Sequence, residues 1–311
     1  MTVIVGAGAA GLSLGVMLDG KVTIYERADE PGGLCRSHCI DGFTFDTGPH
    51  ILGGIPESVA WIVESTGVEF VEGHTRNVGF VGGDYCAHPF TNPDDGHAYM
   101  AKMWKADPAS LSAAGLGAQP GRKPGGVSSF LYPARGGYQA ITDAWARRLD
   151  GAITYGVKVS RQMADVVWTG PVPSARYNTL VTVTVGFEIT NLEPPDWTAI
   201  YLPGPETPFH RLSFPSAFSP HNAPPGCYSI QLEASVDPAR PYPILREEVP
   251  DVLERLGLWA RPVFDYMEIT THAYPVPDGT LADGHGRTGG HKYLNLDGVV
   301  AASRALVGAL T

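Results

Sequence analysis

The chain has 311 residues, 43% of them hydrophobic, and a formal net charge of −10 at pH 7. That charge argues against a nucleic-acid partner, whose phosphate backbone asks for a basic face. No run of 18 apolar residues is present, so no bilayer-spanning helix is predicted.

Residues 2–5 (TVIV) predict a short buried strand, and GAGAAG then sets Gly6, Gly8 and Gly11 at G-x-G-x-x-G spacing. An amphipathic helix (LSLGVMLDG) and a second strand (KVTIYE) follow, ending on Glu26. The glycines let the backbone turn and approach a pyrophosphate. The helix N-terminus supplies N–H groups, and Glu26 accepts from a ribose hydroxyl. Strand, helix, strand and acid in this order predict dinucleotide binding.

Further on, residues 55–71 predict a helix opened by Pro56–Glu57 and then a strand, and NVGFVGGDYCAHPF predicts a hairpin turning at Gly82–Gly83. A short helical piece begins at Ala98 and runs into a Gly/Pro-rich loop with the basic pair Arg122–Lys123. Residues 130–150 read as a strand end, a Gly-Gly loop and an amphipathic helix carrying Ile141, Ala144, Trp145 and Leu149 on one face. Strands are expected near 152–159, in DVVWT and in NTLVTVTVGFEI, followed by a β-rich segment over 180–275. The last stretch is a Gly-rich loop and a helix starting near Asp297. With 38 Gly and 27 Pro, this order predicts a mixed α/β fold rather than a helical bundle.

ERADEPGGLCRS places Glu26, Gly32, Gly33 and Arg36 in a pattern that resembles the FAD-binding opening of amine-oxidase and sugar-mutase flavoproteins. DGFTFDTGPHILGG resembles their next box, which passes over the isoalloxazine. Then AHPFTN, YPARGGYQAI, IYLPGPETPFHR, AYPVP and GRTGGHKYLNLD follow in order. Together these boxes resemble the UDP-galactopyranose mutase family, closer to its eukaryotic branch and much shorter.

The resemblance implies a discontinuous Rossmann-like FAD-binding domain (1–75, 150–186 and 278–311). An inserted β-sheet substrate part (76–149 and 187–277) includes a shortened helical insertion at 98–127. It implies FAD that is active when reduced, NADPH or NADH as reductant, and a nucleotide-diphosphate sugar as substrate. The implied reaction is a pyranose–furanose interconversion without net redox change, begun by attack of reduced flavin N5 on the anomeric carbon. Tyr201 and Arg211 match the residues that clamp the substrate's diphosphate, Tyr274 and Tyr293 match two further phosphate-facing tyrosines, and Arg287 matches the arginine at the flavin. Arg135 is a further loop candidate, and His50 takes the position of the flavin-proximal histidine. His88, Phe90, Thr91 and Asn92 occupy the box that touches the base, Val157 the adenine side, and Asn295 and Asp297 the helix start that meets the flavin.

These residue types suit a diphosphate, because Arg offers a planar fork and Tyr a rigid neutral donor. Charge-assisted hydrogen bonds contribute roughly 1.5–3 kcal/mol each. Three departures stand out: Pro49 replaces the family's second glycine, His88 and Thr91 replace a tyrosine and a glutamine, and the insertion is short. UDP-galactose is therefore the default substrate, with GDP-, CDP- and TDP-linked sugars open, and the oligomeric state is open too. A flavin oxidoreductase of the amine-oxidase type and an inactive FAD- or nucleotide-binding homologue are the alternatives. Cys35, Cys39, Cys86 and Cys227 form no CxxC pair or metal box and read as reduced thiols. Strand-like residues from Thr2 leave no room for a charged leader, so a cytoplasmic protein without membrane attachment is expected.

Overall fold

A computed structural model describes residues 1–112, 129–161, 163, 165–189, 194–237, 245–258, 261–279 and 284–310. In chain order, β1 (Thr2–Val5), α1 (Ala9–Met17), β2 (Val22–Tyr25), β3 (Ser37–Ile40) and β4 (Phe43–Asp46) lead to α2 (Pro56–Thr66). Next come β5 (Phe70–His74), β6 (Asn77–Val81), β7 (Asp84–Ala87), α3 (Pro93–Trp104), β8 (Ser129–Pro133) and α4 (Gln139–Arg148). Strands β9 (Ile153–Thr154), β10 (Val166–Trp168), β11 (Tyr177–Glu188), β12 (Ala199–Tyr201) and β13 (Arg211–Ser213) precede α5 (Pro215–Phe218) and β14 (Cys227–Val236). The chain closes with α6 (Val249–Arg255), β15 (Pro262–Pro275), α7 (Gly286–Gly289) and α8 (Leu296–Leu310).

Two sheets position the site. The first runs β10-β1-β2-β9, all parallel, as a Rossmann-like unit requires. Helix α1 lies between this sheet and both α4 and α8. Its residues Ala10 to Gly15 are all buried, so the helix is covered all round rather than amphipathic as expected. Gly11 permits this closeness, since a Cβ there would collide with the Gly6 carbonyl.

The second sheet has the order β15-β11-β14-β13-β12-β6-β7, antiparallel except for the β12–β6 pair. Its central strands alternate strictly, and alternate residues face opposite sides of a sheet. On β14, Tyr228, Ile230, Leu232 and Ala234 join Val181, Val183 and Val185 of β11 in a core under Val249, Val252 and Leu253 of α6. The opposite face presents Ser229, Gln231 and Glu233 beside Thr182 and Thr184, all buried as well. There, Gln231 donates to the Asp46 carbonyl at 2.8 Å. A strand buried on both faces yet polar on one is walling a polar interior.

The hairpin β6–β7 forms as expected, with φ of 62° at Gly82 and 100° at Gly83. Three expectations differ. The strand over 152–159 contracts to Ile153–Thr154, because beyond it the chain leaves the sheet edge and returns only through Gly156 N–H to the Ala28 carbonyl at 2.9 Å and Val157 N–H to the Glu26 carbonyl at 2.8 Å. The boundary at 186 falls within β11, which pairs with β14 from Thr179 to Glu188, while α4, placed with the substrate part, packs on α1 and α2. Helix α3 starts at Pro93, earlier than Ala98, because Asn92 caps it. Residues 113–127 of the expected insertion, with Arg122 and Lys123, lie outside the described residues. No helix among the described residues is long and apolar enough to cross a membrane, and none of their His, Cys, Asp and Glu side chains group as a metal site.

Candidate active site

One cavity of about 1480 Å³ joins the glycine loop to the polar face of the large sheet. At the glycine end it is lined by Gly6, Gly8, Glu26, Gly33, Arg36 and Val157. Gly8 and Gly32 form an isolated parallel bridge, and Gly32 N–H donates to the Ala7 carbonyl at 2.9 Å. The second glycine pair is thus laid against the first. Gly32 and Gly33 have φ of 115° and 58°, values that favour glycine. Gly8 differs: its φ is −81°, and a Cβ there would meet nothing nearer than Gly33 Cα at 3.8 Å. Protein packing does not demand glycine at position 8, so the missing side chain leaves room on the cavity side. Glu26 accepts from Ala7 N–H at 2.6 Å and Ala28 N–H at 2.9 Å, which fixes the loop from below. Gly11 and Gly32 support this end from behind without lining the cavity.

The middle of the cavity is organised by Asp46, which is 2% exposed. It accepts from Ser37 Oγ at 2.6 Å, Tyr138 N–H at 2.9 Å and Tyr132 OH at 3.1 Å. Gly136 and Gly137, with φ of 78° and 63°, turn the chain so that Tyr138 N–H reaches this carboxylate. The same turn leaves Arg135 exposed and outside the cavity lining. His50 does line the cavity, stacked on Tyr138 with ring centroids 4.9 Å apart and its Nδ1 3.7 Å from Asp46 Oδ2. Asn295 lines the cavity, whereas buried Asp297 accepts from Ile55 N–H at 3.0 Å and anchors that loop to α8.

The far end is a transverse row of the large sheet. Tyr201 lies opposite Arg211, Arg211 opposite Glu233, and Glu233 opposite Thr182 on successive strands. Residues opposite one another share a face, so register alone gathers Tyr201, Arg211 and Glu233 at the cavity wall. Arg211 forms a fork with Glu233, Nε donating to Oε2 and Nη2 donating to Oε1 at 3.0 Å. Burial works against the Arg211 charge, but Glu233 outweighs it and holds the pKa above the ordinary value. Tyr274 donates to the same Oε1 at 3.2 Å. Burial first, then Glu233, keeps its phenol well above the usual range, so it remains a neutral donor.

Arg287 sits beside this row. Its Nη2 donates to the Ala273 carbonyl at 2.8 Å, and its guanidinium lies 4.8 Å and 5.2 Å from the ring centroids of Tyr293 and Tyr274. Trp104, at the end of α3, closes the cluster edge-on to both tyrosines. His88 stacks on Tyr201 at 3.6 Å and 7°, and burial, then Arg211, lowers its pKa to about 4. It is neutral at pH 7. Pro89 lines the cavity beside it, whereas Phe90, Thr91 and Asn92 do not. Phe90 packs edge-on to His88, Thr91 is exposed, and Asn92 accepts from Asp94 N–H at 3.1 Å as the α3 cap.

Glu233, Tyr99 and Trp104 also line the cavity, and sequence reasoning missed all three. A signal existed for each. Glu233 belongs to an unbroken alternation, S-I-Q-L-E-A-S-V, whose polar members needed a destination. Tyr99, Met100, Met103 and Trp104 recur at helical spacing on one face of α3.

The family of NAD(P)-binding Rossmann-like domains matches residues 4–62. Over 70 residues the chain is 39% identical to a 4,4'-diapophytoene desaturase (4,4'-diaponeurosporene-forming) of Staphylococcus haemolyticus, a match covering 22% of this chain and 14% of the desaturase. Among solved structures, reduced UDP-galactopyranose mutase superposes with a TM-score of 0.81 at 19% identity, over 99% of this chain and 95% of that one. A putrescine oxidase bound to putrescine superposes with a TM-score of 0.60 at 12% identity, over 99% and 98% of the two chains. The chain therefore has the α/β fold of the FAD-dependent oxidoreductases and mutases. The Rossmann-like match begins in β1 and takes in the first glycine loop.

Proposed function

We propose that the chain is an FAD-dependent nucleotide-sugar mutase interconverting pyranose and furanose forms, with UDP-galactopyranose and UDP-galactofuranose as the default pair. The observation that carries this reading is the reach of the cavity. Its volume of about 1480 Å³ exceeds the roughly 300–1,000 Å³ of a pocket for one small molecule. Its two ends also differ in chemistry, glycine backbone at one and arginine with tyrosine at the other.

The glycine end fits FAD, because Gly8 leaves space that protein packing does not use. Gly6, Gly8, Gly33, Glu26, Arg36 and Val157 would hold it, with NADPH or NADH as the proposed reductant. Bound and reduced, FAD supplies a nucleophilic ring nitrogen for the anomeric carbon of a sugar. This chain's residues bind and position. Arg287, Tyr274, Tyr293 and Tyr201 offer cationic and hydroxyl donors that keep a released diphosphate within reach for its return. The Cys35 thiol, although it lines the cavity, is pushed up to about 12 by burial first and by Asp46 next, so it stays protonated.

The test is a chromatographic assay of UDP-galactofuranose conversion by the purified protein, with the flavin oxidised or dithionite-reduced. Conversion only after reduction supports the reading, and a panel of nucleotide sugars then sets the base. A second reading, a flavin oxidoreductase with a less anionic substrate, is favoured by the pairing of Arg211 with Glu233. Acceptor-dependent turnover of an amine or apolar substrate, without any isomerisation, would put it in place of the first. Residence in the cytoplasm is part of the proposal.

A further inference from the structure

Glu233 is fully buried and stands opposite Arg211 in the ladder between β13 and β14. Its carboxylate receives two N–H bonds from Arg211 and the Tyr274 hydroxyl. All three residues line the cavity. The pair uses two of the five N–H donors of the guanidinium and cancels its charge. Three donors remain on Arg211.

We propose that Glu233 is a built-in counter-ion, which occupies the anion position on Arg211 and Tyr274 until a nucleoside diphosphate competes for the same donors. This inference rests on the nucleotide-sugar reading. A carboxylate and a phosphate present the same paired oxygens to an arginine fork, so one can stand in for the other. A buried guanidinium without any partner is strongly unfavourable. An arginine kept for an intermittent anion therefore needs an interim one. Arg287 shows the contrast: among the described residues no carboxylate pairs with it, and its charge is met by a carbonyl and two aromatic faces. The site thus keeps one cation open and one covered. An entering diphosphate meets Arg287 without competition and must displace or share Glu233 to gain Arg211.

Glu233 is then a residue that lowers affinity, which a merely structural partner of Arg211 would not be. Isothermal titration of the FAD-loaded protein with UDP, GDP, CDP and TDP tests this. The wild type is expected to bind at least one of the four, and Arg211→Gln to weaken it. Glu233→Gln, neutral but still an acceptor, is expected to bind that nucleotide about 10-fold tighter. Glu233→Asp, which retracts the charge and guards against misfolding of the first variant, should gain about 3-fold. Infrared difference spectra on adding nucleotide should show a carboxylate shift in the wild type that Glu233→Gln lacks. Unchanged or weaker binding in both Glu233 variants overturns the inference and leaves the nucleotide-sugar reading standing. Wild-type protein that binds none of the four overturns both.

Discussion

The two ends of the cavity are built by different rules. The glycine end comes from contiguous chain, in which Gly6, Gly8 and Gly11 and the pair Gly32–Gly33 meet through backbone contacts. The far end comes from three strands whose register brings Tyr201, Arg211 and Glu233 into one row. At the first end the distinguishing property is an absence of side chains. At the second it is a balance between charged ones, so the two ends should fail differently when changed.

The largest effect is expected in the row. Arg211→Met leaves Glu233 buried without its counter-charge, and breaking a buried pair on one side costs about 3–5 kcal/mol. Replacing both, as Arg211→Met with Glu233→Leu, removes the uncompensated charge and should recover most of that loss. Urea unfolding of the two proteins checks it. A cost below about 1 kcal/mol for the single change would mean the pair is loose and solvated, as surface pairs are.

The glycine end should separate fold from cofactor. Gly11→Ala drives a Cβ into the Gly6 carbonyl and within 3.1 Å of Ile4 Cγ2, a form of overpacking that costs about 1–3 kcal/mol. Gly8→Ala has no such neighbour, so its stability should stay within about 0.5 kcal/mol of the wild type. Its visible flavin absorbance after purification should nonetheless be lost. Retention of flavin by Gly8→Ala would show that the bound dinucleotide passes elsewhere.

A smaller effect distinguishes two roles for Asn92. As a helix cap its replacement by alanine costs about 1 kcal/mol of stability and leaves nucleotide affinity unchanged. A residue touching the base would give the opposite result, a rise in Kd with little change in Tm.

What was legible in the sequence follows the same division. The G-x-G-x-x-G loop, Glu26 and the second glycine pair could be read because their meaning lies in local spacing. The hairpin at Gly82–Gly83 and the helix opened by Pro56 were legible for the same reason. The Arg211–Glu233 pairing was not, since a one-residue change of register would send either side chain to the other face. Arg135 looked like its neighbours in a Gly-rich loop, and sequence does not show that it stands exposed outside the cavity lining, beside the positive-φ turn of Gly136 and Gly137. Asn92 belonged to a box that resembled a binding segment, yet the helix after it needed a cap.

The smallest effect is confined to acid and concerns His88, where the row ends. Burial, followed by the Arg211 charge, lowers its pKa from the ordinary 6.5 to about 4. Between those values the unfolded chain carries a proton on this imidazole that the folded chain does not, so folding loses stability as pH falls from 6.5 towards 4. Above 6.5 both states are neutral and His88 contributes nothing to the slope. His88→Phe keeps a flat ring against Tyr201 and removes the titration. Its Tm should match that of the wild type near pH 8 and fall less steeply below 6.5. The slope should not vanish, because His210, His272 and His285 are also lowered by burial. Identical acid limbs in the two proteins would mean that water reaches the His88 imidazole in solution. The aromatic wall of the far end would then stop at Tyr201.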